Sequence, residues 1–194
     1  MSTLMRKRTA KRAGGVNKRL KTLERKVASQ APEKKYKQSD LSSTLTTSAP
    51  IDFVLSDIAQ GTNTNQRIGA KVRLHRVRIQ ASDYAGGGSA NQIYRMIVYV
   101  PRDASDTLAT QFGDAPDYDR AWILSDTLHR TTGVASGTAT FTFNKNFGVT
   151  GMMTEFDAAT AASYNKNPIR VRFLSNANRS GGMQGNATVW YTDP

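Results

Sequence analysis

From about residue 39 onward, apolar residues come in short runs that alternate with polar ones, and clusters of Gly, Asn, Asp and Pro separate the runs. Alternation with a period of two places side chains on opposite faces of an extended chain. Ala139, Phe141 and Phe143 alternate with threonines in this way, and Ile51 and Phe53 share one face of another segment. The pattern predicts an all-β domain.

Eight segments read as strands by this pattern. Eight antiparallel strands in about 150 residues favour a jelly roll of two packed sheets over an immunoglobulin-type sandwich, which has shorter connections. The polar connections 102–119 and 157–167 are long enough to form contacts between subunits. The predicted strands are Ile51 to Leu55, Arg67 to Ala81, Ile93 to Val100, Arg120 to Leu128, Ala139 to Phe143, Phe147 to Phe156, Ile169 to Leu174 and Ala187 to Thr192.

The first 38 residues have a different pattern. Apolar residues recur there at spacings of four, three and four, so the segment from Asn17 to Ser29 can form a helix with one apolar stripe. An isolated helix of this length is marginal in water. We therefore expect it to form only on binding phosphate or another copy of itself.

Charge divides the chain at the same place. Residues 1–38 hold 13 basic and two acidic side chains, a net charge of +11, whereas the other 156 residues hold 14 basic and 13 acidic ones, a net charge of +1. A segment so charged and so poor in apolar residues does not fold alone. We expect a disordered basic arm over 1–38 and a jelly-roll domain over 39–194.

The arm is expected to bind nucleic acid. No aromatic residue is interleaved with its basic clusters at 6–8, 11–12 and 18–21, so the attraction is to backbone phosphates and is insensitive to sequence. Its clusters also resemble signals read by nuclear import receptors, and a solvated tail that aids solubility is the plainer alternative. The candidate phosphate-binding residues are Arg6, Lys7, Arg8, Lys11, Arg12, Lys18, Arg19, Lys21, Arg25 and Lys26.

A second basic set lies on the predicted strand from Arg67. Val72 and Leu74 share one face, but the apolar phase then shifts to Val77 and Ile79, which predicts a β-bulge near His75 or Arg76. The cations then stay off the core, either as a phosphate-binding surface or as an ordinary solvated face. Arg67 has a third alternative, a carboxylate across a subunit boundary. The set is Arg67, Lys71, Arg73, Arg76 and Arg78.

The stretch from Gln60 to Gln80, QGTNTNQRIGAKVRLHRVRIQ, resembles the circovirus-like capsid proteins of small circular single-stranded DNA viruses that encode a replication initiator. In that family a Gly-rich polar turn leads into an Arg-x-Gly-x-Lys strand. The match covers these 21 residues, and the remaining likeness is a basic arm followed by spaced strands. The arm mixes Lys with Arg, whereas many relatives are more Arg-dense.

This resemblance implies a capsid subunit that assembles into an icosahedral shell of about 60 copies. Sixty arms would bring roughly 660 positive charges inward, enough to offset several hundred phosphates of a genome. A single-stranded DNA genome is favoured over RNA, and the expected locations are the virion and, during assembly, the host nucleus or cytoplasm. A cellular nucleic-acid-binding β-domain and a carbohydrate-binding jelly roll are the rival functions.

Other chemistry has little support in the sequence. There is no cysteine, and His75 and His129 belong to no motif for a catalytic triad or a zinc site. We expect neither an enzyme nor a cofactor, and no signal peptide or membrane span is predicted. Asp114, Asp117 and Asp119 share one loop and are a calcium candidate, although a solvated loop explains them more simply.

Overall fold

The computed structural model describes residues 19–23, 32–44, 49–84, 92–103, 108, 111–131, 138–157, 164–176 and 182–193. The chain divides into two units, Met1–Glu33 and Lys34–Pro194. In the first unit, the described residues 19–23 are helical and exposed, and they fall within the helix predicted from Asn17 to Ser29. The rest of that predicted helix lies outside the described residues.

The second unit is built from antiparallel strands. Its described residues form ten strands, whose bounds are β1 Lys35–Asp40, β2 Ile51–Val54, β3 Lys71–Tyr84, β4 Ile93–Pro101, β5 Ala121–Arg130, β6 Ala139–Asn146, β7 Met152–Phe156, β8 Tyr164–Lys166, β9 Arg170–Ser175 and β10 Gly182–Thr192.

The strands make two sheets whose order is that of a jelly roll. One sheet runs β1-β10-β3 and continues with β7 and β8, while β6 also pairs with β3. The other sheet runs β2-β9-β4-β5. Strands β6 and β7 pair with successive parts of β3, so together they fill one strand position. Apart from the three-residue β8 at the edge of the first sheet, each sheet thus has four strand positions, and the predicted all-β jelly roll is confirmed.

The main core lies between the sheets. Alternate residues of β3, such as Val72 and Leu74, meet alternate residues of β4 and β9, such as Val98 and Phe173, and all four are buried. A smaller cluster covers the opposite face of the four-stranded sheet, where the buried Leu108 packs with Tyr99. The connection 102–119 therefore packs in part on its own domain instead of being wholly available to another subunit.

Strand β1 crosses the boundary that was predicted at residue 38. Residues 35–40 pair with β10 in continuous register, from Lys35 opposite Tyr191 to Asp40 opposite Asn186. Lys35 is buried and its Nζ lies 2.8 Å from Asp193 Oδ2. The three lysines at 34, 35 and 37 thus belong to the folded unit, and residues 1–33 carry ten basic and two acidic side chains, a net charge of +8.

Several other strand bounds differ from the prediction. Strand β3 begins at Lys71 and not at Arg67, because Arg67 belongs to a hydrogen-bonded loop. Strand β7 begins at Met152 and not at Phe147, because Gly148 and Gly151 adopt positive φ angles of 75° and 62° in a turn. A short strand, β8, lies inside the connection 157–167 that was expected to be irregular.

Among the described residues, no helix combines the length and the apolar character that a membrane crossing requires.

Candidate nucleic-acid interface

The candidate residues of the arm are mostly beyond structural description. Arg19 and Lys21 lie in the helical residues 19–23 and are exposed. Their exposure is what phosphate binding requires, and their role there stays a prediction. The other eight, Arg6, Lys7, Arg8, Lys11, Arg12, Lys18, Arg25 and Lys26, lie outside the described residues.

Arg67 does not belong to a phosphate-binding surface. Its side chain is fully buried, and its guanidinium carbon lies 4.0 Å from the centre of the Phe156 ring. Its Nε donates to the Ile58 carbonyl at 3.0 Å, and its Nη1 donates to the Gly69 carbonyl. The side chain therefore holds the loop before β3 closed, and the candidate assignment of Arg67 is wrong because the fold already occupies its donors.

Lys71 and Arg73 lie on the part of β3 that pairs with β7. Lys71 is exposed, and its Nζ lies 3.1 Å from Glu155 Oε1 on the neighbouring strand. Arg73 is half-buried, and its stem packs so closely on Gly151 that a Cβ there would lie 2.5 Å from Arg73 Cγ. The carboxylate partly neutralises Lys71, so this end of the strand offers less positive charge than the sequence suggested.

The predicted bulge in β3 is confirmed. Trp190 of β10 lies opposite Arg76, but the next residue, Tyr191, lies opposite Leu74, so His75 is the extra residue. The shift moves Val77 to the core face that Val72 occupies before the bulge, and both are buried. Arg76 and Arg78 consequently lie on the exposed face of the sheet.

On this exposed face, residues that pair across neighbouring strands form rows perpendicular to the strands. Arg76 and Arg78 stand beside Trp190 and Thr188 on β10, and beside residues of β6 on the other side. We call it the outer face of the six-stranded sheet. Its rows across β1, β10, β3 and β6 are Tyr36, Trp190, Arg76 and Asn146, then Gln38, Thr188, Arg78 and Asn144, then Asp40, Asn186, Gln80 and Thr142.

The outer face is rich in amides, hydroxyls and cations, with Asp40 as the acidic residue of these rows. Arg76 donates from Nε to Asn144 Oδ1 at 2.9 Å, and its guanidinium carbon lies 5.0 Å from the centre of the Trp190 ring. Tyr36, opposite Trp190, is 59% exposed. The surface therefore presents donors for phosphate together with aromatic rings.

Lys34, Tyr36 and Trp190 were not among the predicted site residues. Trp190 was placed within the predicted strand Ala187 to Thr192, and Tyr36 was counted as part of the arm. The sequence does not give the register between neighbouring strands. The pairings β1–β10 and β10–β3 bring Tyr36, Trp190 and Arg76 into one row. The alternation of β10, with Val189 and Tyr191 buried, does indicate that Trp190 faces outward.

The aspartates of the 111–120 loop are engaged with backbone groups. Asp114 Oδ2 accepts a hydrogen bond from the Gln111 amide at 3.0 Å, and Asp117 Oδ1 accepts one from the Asp119 amide at 3.0 Å. Asp117 also lies 3.3 Å from Arg120 Nε. Within the described ranges no group of acidic, His or Cys side chains is arranged to hold a metal ion.

Each histidine has a local structural contact. The His75 Nε2 lies 3.0 Å from Thr192 Oγ1, next to the bulge. The His129 Nε2 lies 2.9 Å from Thr127 Oγ1, and its ring packs edge-on against Phe141 at 4.9 Å between centroids. Burial lowers the pKa of His129 below its usual 6.5. Both histidines thus contribute to local packing and hydrogen bonding within the folded unit.

Comparison with known proteins gives structural similarities alone. No model of a known protein family matches the sequence, and no curated protein matches it. A structure of Desmodium yellow mottle tymovirus is 10% identical over 85% of this chain and 90% of its own, with a TM-score of 0.43. Two capsid protein structures from BFDV, beak and feather disease virus, are also similar.

The decameric BFDV form is 12% identical over 82% of this chain and 95% of its own, with a TM-score of 0.41. The 60-mer form is 13% identical over 84% of this chain and 94% of its own, with a TM-score of 0.35. The jelly-roll assignment rests on the strand order given above, which is independent of these similarities.

Proposed function

We propose that this chain is the shell subunit of a small virus, a non-enzymatic capsid protein whose jelly roll self-assembles while residues 1–33 gather the genome. The observation that carries the proposal is the division of charge between the two units. Residues 1–33 carry +8, whereas the folded unit of 161 residues carries 17 basic and 13 acidic side chains, a net charge of +4.

Electrostatics links this division to packaging. A cationic segment neutralises phosphates, and the release of their counterions drives binding that is insensitive to sequence. Sixty segments of +8 would supply roughly 480 positive charges to the interior of a closed shell. The charge of the outer face, including Arg76 and Arg78, adds to this on the folded unit.

Exposed apolar side chains support self-assembly of the jelly roll. Leu128 on the edge strand β5 is 66% exposed, and Tyr118 in the loop before it is 63% exposed. An edge strand has unpaired backbone groups along one side, so it is a favourable place for another copy to pack. Contacts there would bury surface that is costly to leave in water.

The finer form of the proposal follows the resemblance of residues 60–80. It is an icosahedral particle of about 60 copies that packages single-stranded DNA in preference to RNA, with import receptors as partners during assembly in the host nucleus. Sequence-insensitive charge binding is compatible with either nucleic acid, so the preference for DNA rests on that resemblance alone.

A carbohydrate-binding jelly roll is a second candidate, and one observation favours it. Trp122 on β5 is 65% exposed and lines a cleft of about 330 Å³ together with Arg102 and Asn167. An exposed ring beside polar groups can stack on a sugar. This function predicts glycan binding that is lost on Trp122→Ala and that is unaffected by removal of residues 2–33.

Nucleic-acid retention after purification tests the packaging proposal. Replacing Arg6, Lys7, Arg8, Lys11 and Arg12 with Gln keeps the length of the arm and removes five charges, and deletion of residues 2–33 removes them all. Both variants should lose bound nucleic acid, seen as a lower ratio of absorbance at 260 and 280 nm, with an unchanged β-type circular dichroism spectrum. Full retention in both would exclude the arm as the packaging element.

A further inference from the structure

The bulge in β3 creates a cleft at one end of the outer face. His75 is inserted between Leu74 and Arg76, so the strand widens where β1 begins and where the β6–β7 turn passes. The resulting cleft has a volume of about 490 Å³, within the usual range for small-molecule sites. Its lining includes Lys34, His75, Arg76, Val149 and Trp190.

Arg76 and Trp190 form a fixed pair in this cleft. The guanidinium lies over the indole ring at 5.0 Å and is oriented by the Nε bond to Asn144 Oδ1 at 2.9 Å. The pairing of β3 with β10 on one side and with β6 on the other keeps Arg76 beside Trp190. A guanidinium held over an aromatic ring presents both a flat surface for stacking and charged donors for an anion.

The rest of the lining favours the same kind of ligand. Lys34 adds a second cation, and Val149 on the opposite rim is 94% exposed and apolar. No carboxylate lines the cleft within the described part of the chain. An acidic peptide would use the cations but not the stacked pair, whereas a nucleotide has both a π face and a phosphate.

We propose that this cleft binds one nucleotide of a single-stranded nucleic acid, with the base packed on the Arg76–Trp190 pair and the phosphate neutralised by Lys34 and Arg76. The nucleic acid must be single-stranded, because a base within a duplex is stacked on its neighbours and cannot enter the cleft. The inference rests on the proposed function and deepens it. It adds a contact to bases on the folded unit, where the arm offers only a contact to phosphates.

Comparison of two oligonucleotide probes with equal phosphate content tests this proposal. The full-length chain is titrated with fluorescently labelled dT12 and with an abasic 12-mer, and binding is followed by anisotropy. Base stacking predicts that dT12 binds about 5- to 100-fold more tightly than the abasic strand. Trp190→Leu and Arg76→Gln should remove most of this difference, since each removes one half of the stacked pair.

Matched controls lie on the other sheet. Trp122→Leu and Arg130→Gln change an exposed tryptophan and an exposed arginine of β5, and both should keep the preference for dT12. Because Trp190 is half-buried and its replacement also changes packing, Val149→Glu is a second test at an exposed position. Its carboxylate at the rim should repel the phosphate and lower dT12 affinity with an unchanged thermal midpoint.

The two proposals fail in different ways. Equal affinity of the wild-type chain for both probes, or a preference that survives Trp190→Leu, Arg76→Gln and Val149→Glu in folded protein, would overturn the nucleotide cleft and leave the arm as the packaging element. Absence of binding to either probe, at low and at moderate salt, would overturn the packaging function as well. A preference lost in the cleft variants and kept in the controls supports the cleft.

Discussion

Arg67 is the residue on which the loop before β3 depends. Its backbone amide donates to the Ala59 carbonyl at 2.9 Å, and its own carbonyl accepts from the Gly61 amide at 2.9 Å. Its buried side chain then binds the carbonyls of Ile58 and Gly69. A guanidinium can satisfy several carbonyls from one side chain because its donors are arranged as a planar fork.

Replacement of Arg67 by Gln should therefore destabilise the domain. Gln is too short to reach both carbonyls, and an unsatisfied buried acceptor costs about 1 to 3 kcal/mol. We expect a loss of about 2 to 5 kcal/mol in the free energy of unfolding by urea titration. The control Lys71→Gln, which removes a more exposed ion pair, should cost no more than about 1 kcal/mol. Equal effects of the two would contradict the structural role of Arg67.

His129 makes the stability of the fold depend on pH. Burial holds its folded-state pKa below 6.5, the value it has in the unfolded chain. The unfolded chain therefore binds the proton first as the pH falls. His129 leaves the free energy of unfolding unchanged above about pH 6.5 and lowers it below that pH.

The unfolding midpoint in urea should consequently fall between about pH 7.5 and about pH 5, and His129→Gln should show a smaller fall. The comparison of the two slopes isolates this residue from the carboxylates, which titrate in both proteins. A pH dependence identical in the wild type and the variant would show that His129 is not the group responsible.

The bulge in β3 and the buried Arg67 differ in how far the sequence predicts them. The apolar phase shift from Leu74 to Val77 is enough to predict the bulge, because a change of face must be absorbed by an extra residue. The same pattern cannot distinguish the buried Arg67 from the exposed Arg76, since both are cations near one strand. Their difference arises from contacts to Ile58, Gly69 and Phe156, which depend on how the loop folds back.

At the scale of elements, β1 is a strand because of its neighbour and not because of its own sequence. Its residues KYKQSD lack an apolar alternation, and the inward-facing Lys35 is accommodated by Asp193 and by the Gln66 carbonyl. Pairing with β10 covers what would otherwise be an exposed sheet edge. No periodicity method finds such a strand, so its lysines were assigned to the arm.

Two truncations test this placement of β1. Deletion of residues 2–33 should leave the thermal midpoint nearly unchanged. Deletion of residues 2–40 removes a six-residue ladder, worth about 3 to 6 kcal/mol at roughly 1 kcal/mol per hydrogen bond, and exposes the β10 edge to aggregation. Circular dichroism melts and light scattering measure both effects, and equal stability of the two truncations would show that β1 is dispensable.

Strand count illustrates a different limit. Eight strands were predicted, and the two sheets have eight strand positions when the short β8 is left aside. The predicted strands nevertheless do not correspond one to one with those positions. Ala139–Phe143 and Phe147–Phe156 were counted as two strands, but β6 and β7 fill one position beside β3, and the missing eighth position is β1. Pattern reasoning finds apolar strands well, whereas the pairing of strands depends on register that no single segment contains.

Most of the net positive charge of the molecule lies in residues 1–33, whereas the two sheets belong to Lys34–Pro194. Residues 1–33 carry +8 and the folded unit carries +4, and within the folded unit Lys34 lines the Arg76–Trp190 cleft. Composition predicts an excess of positive charge near the N-terminus, because net charge per segment is read directly from the sequence, but it placed the boundary at residue 38, inside β1. The cleft is a product of topology, since it requires β1, β3, β6 and β10 side by side.

In the proposed function, the jelly roll assembles into a closed shell around nucleic acid gathered by residues 1–33. Electron microscopy of the purified full-length protein at near-physiological salt tests it most directly. We expect uniform closed particles that contain nucleic acid. A chain that stays monomeric and monodisperse over a range of salt, pH and added single-stranded DNA would contradict it.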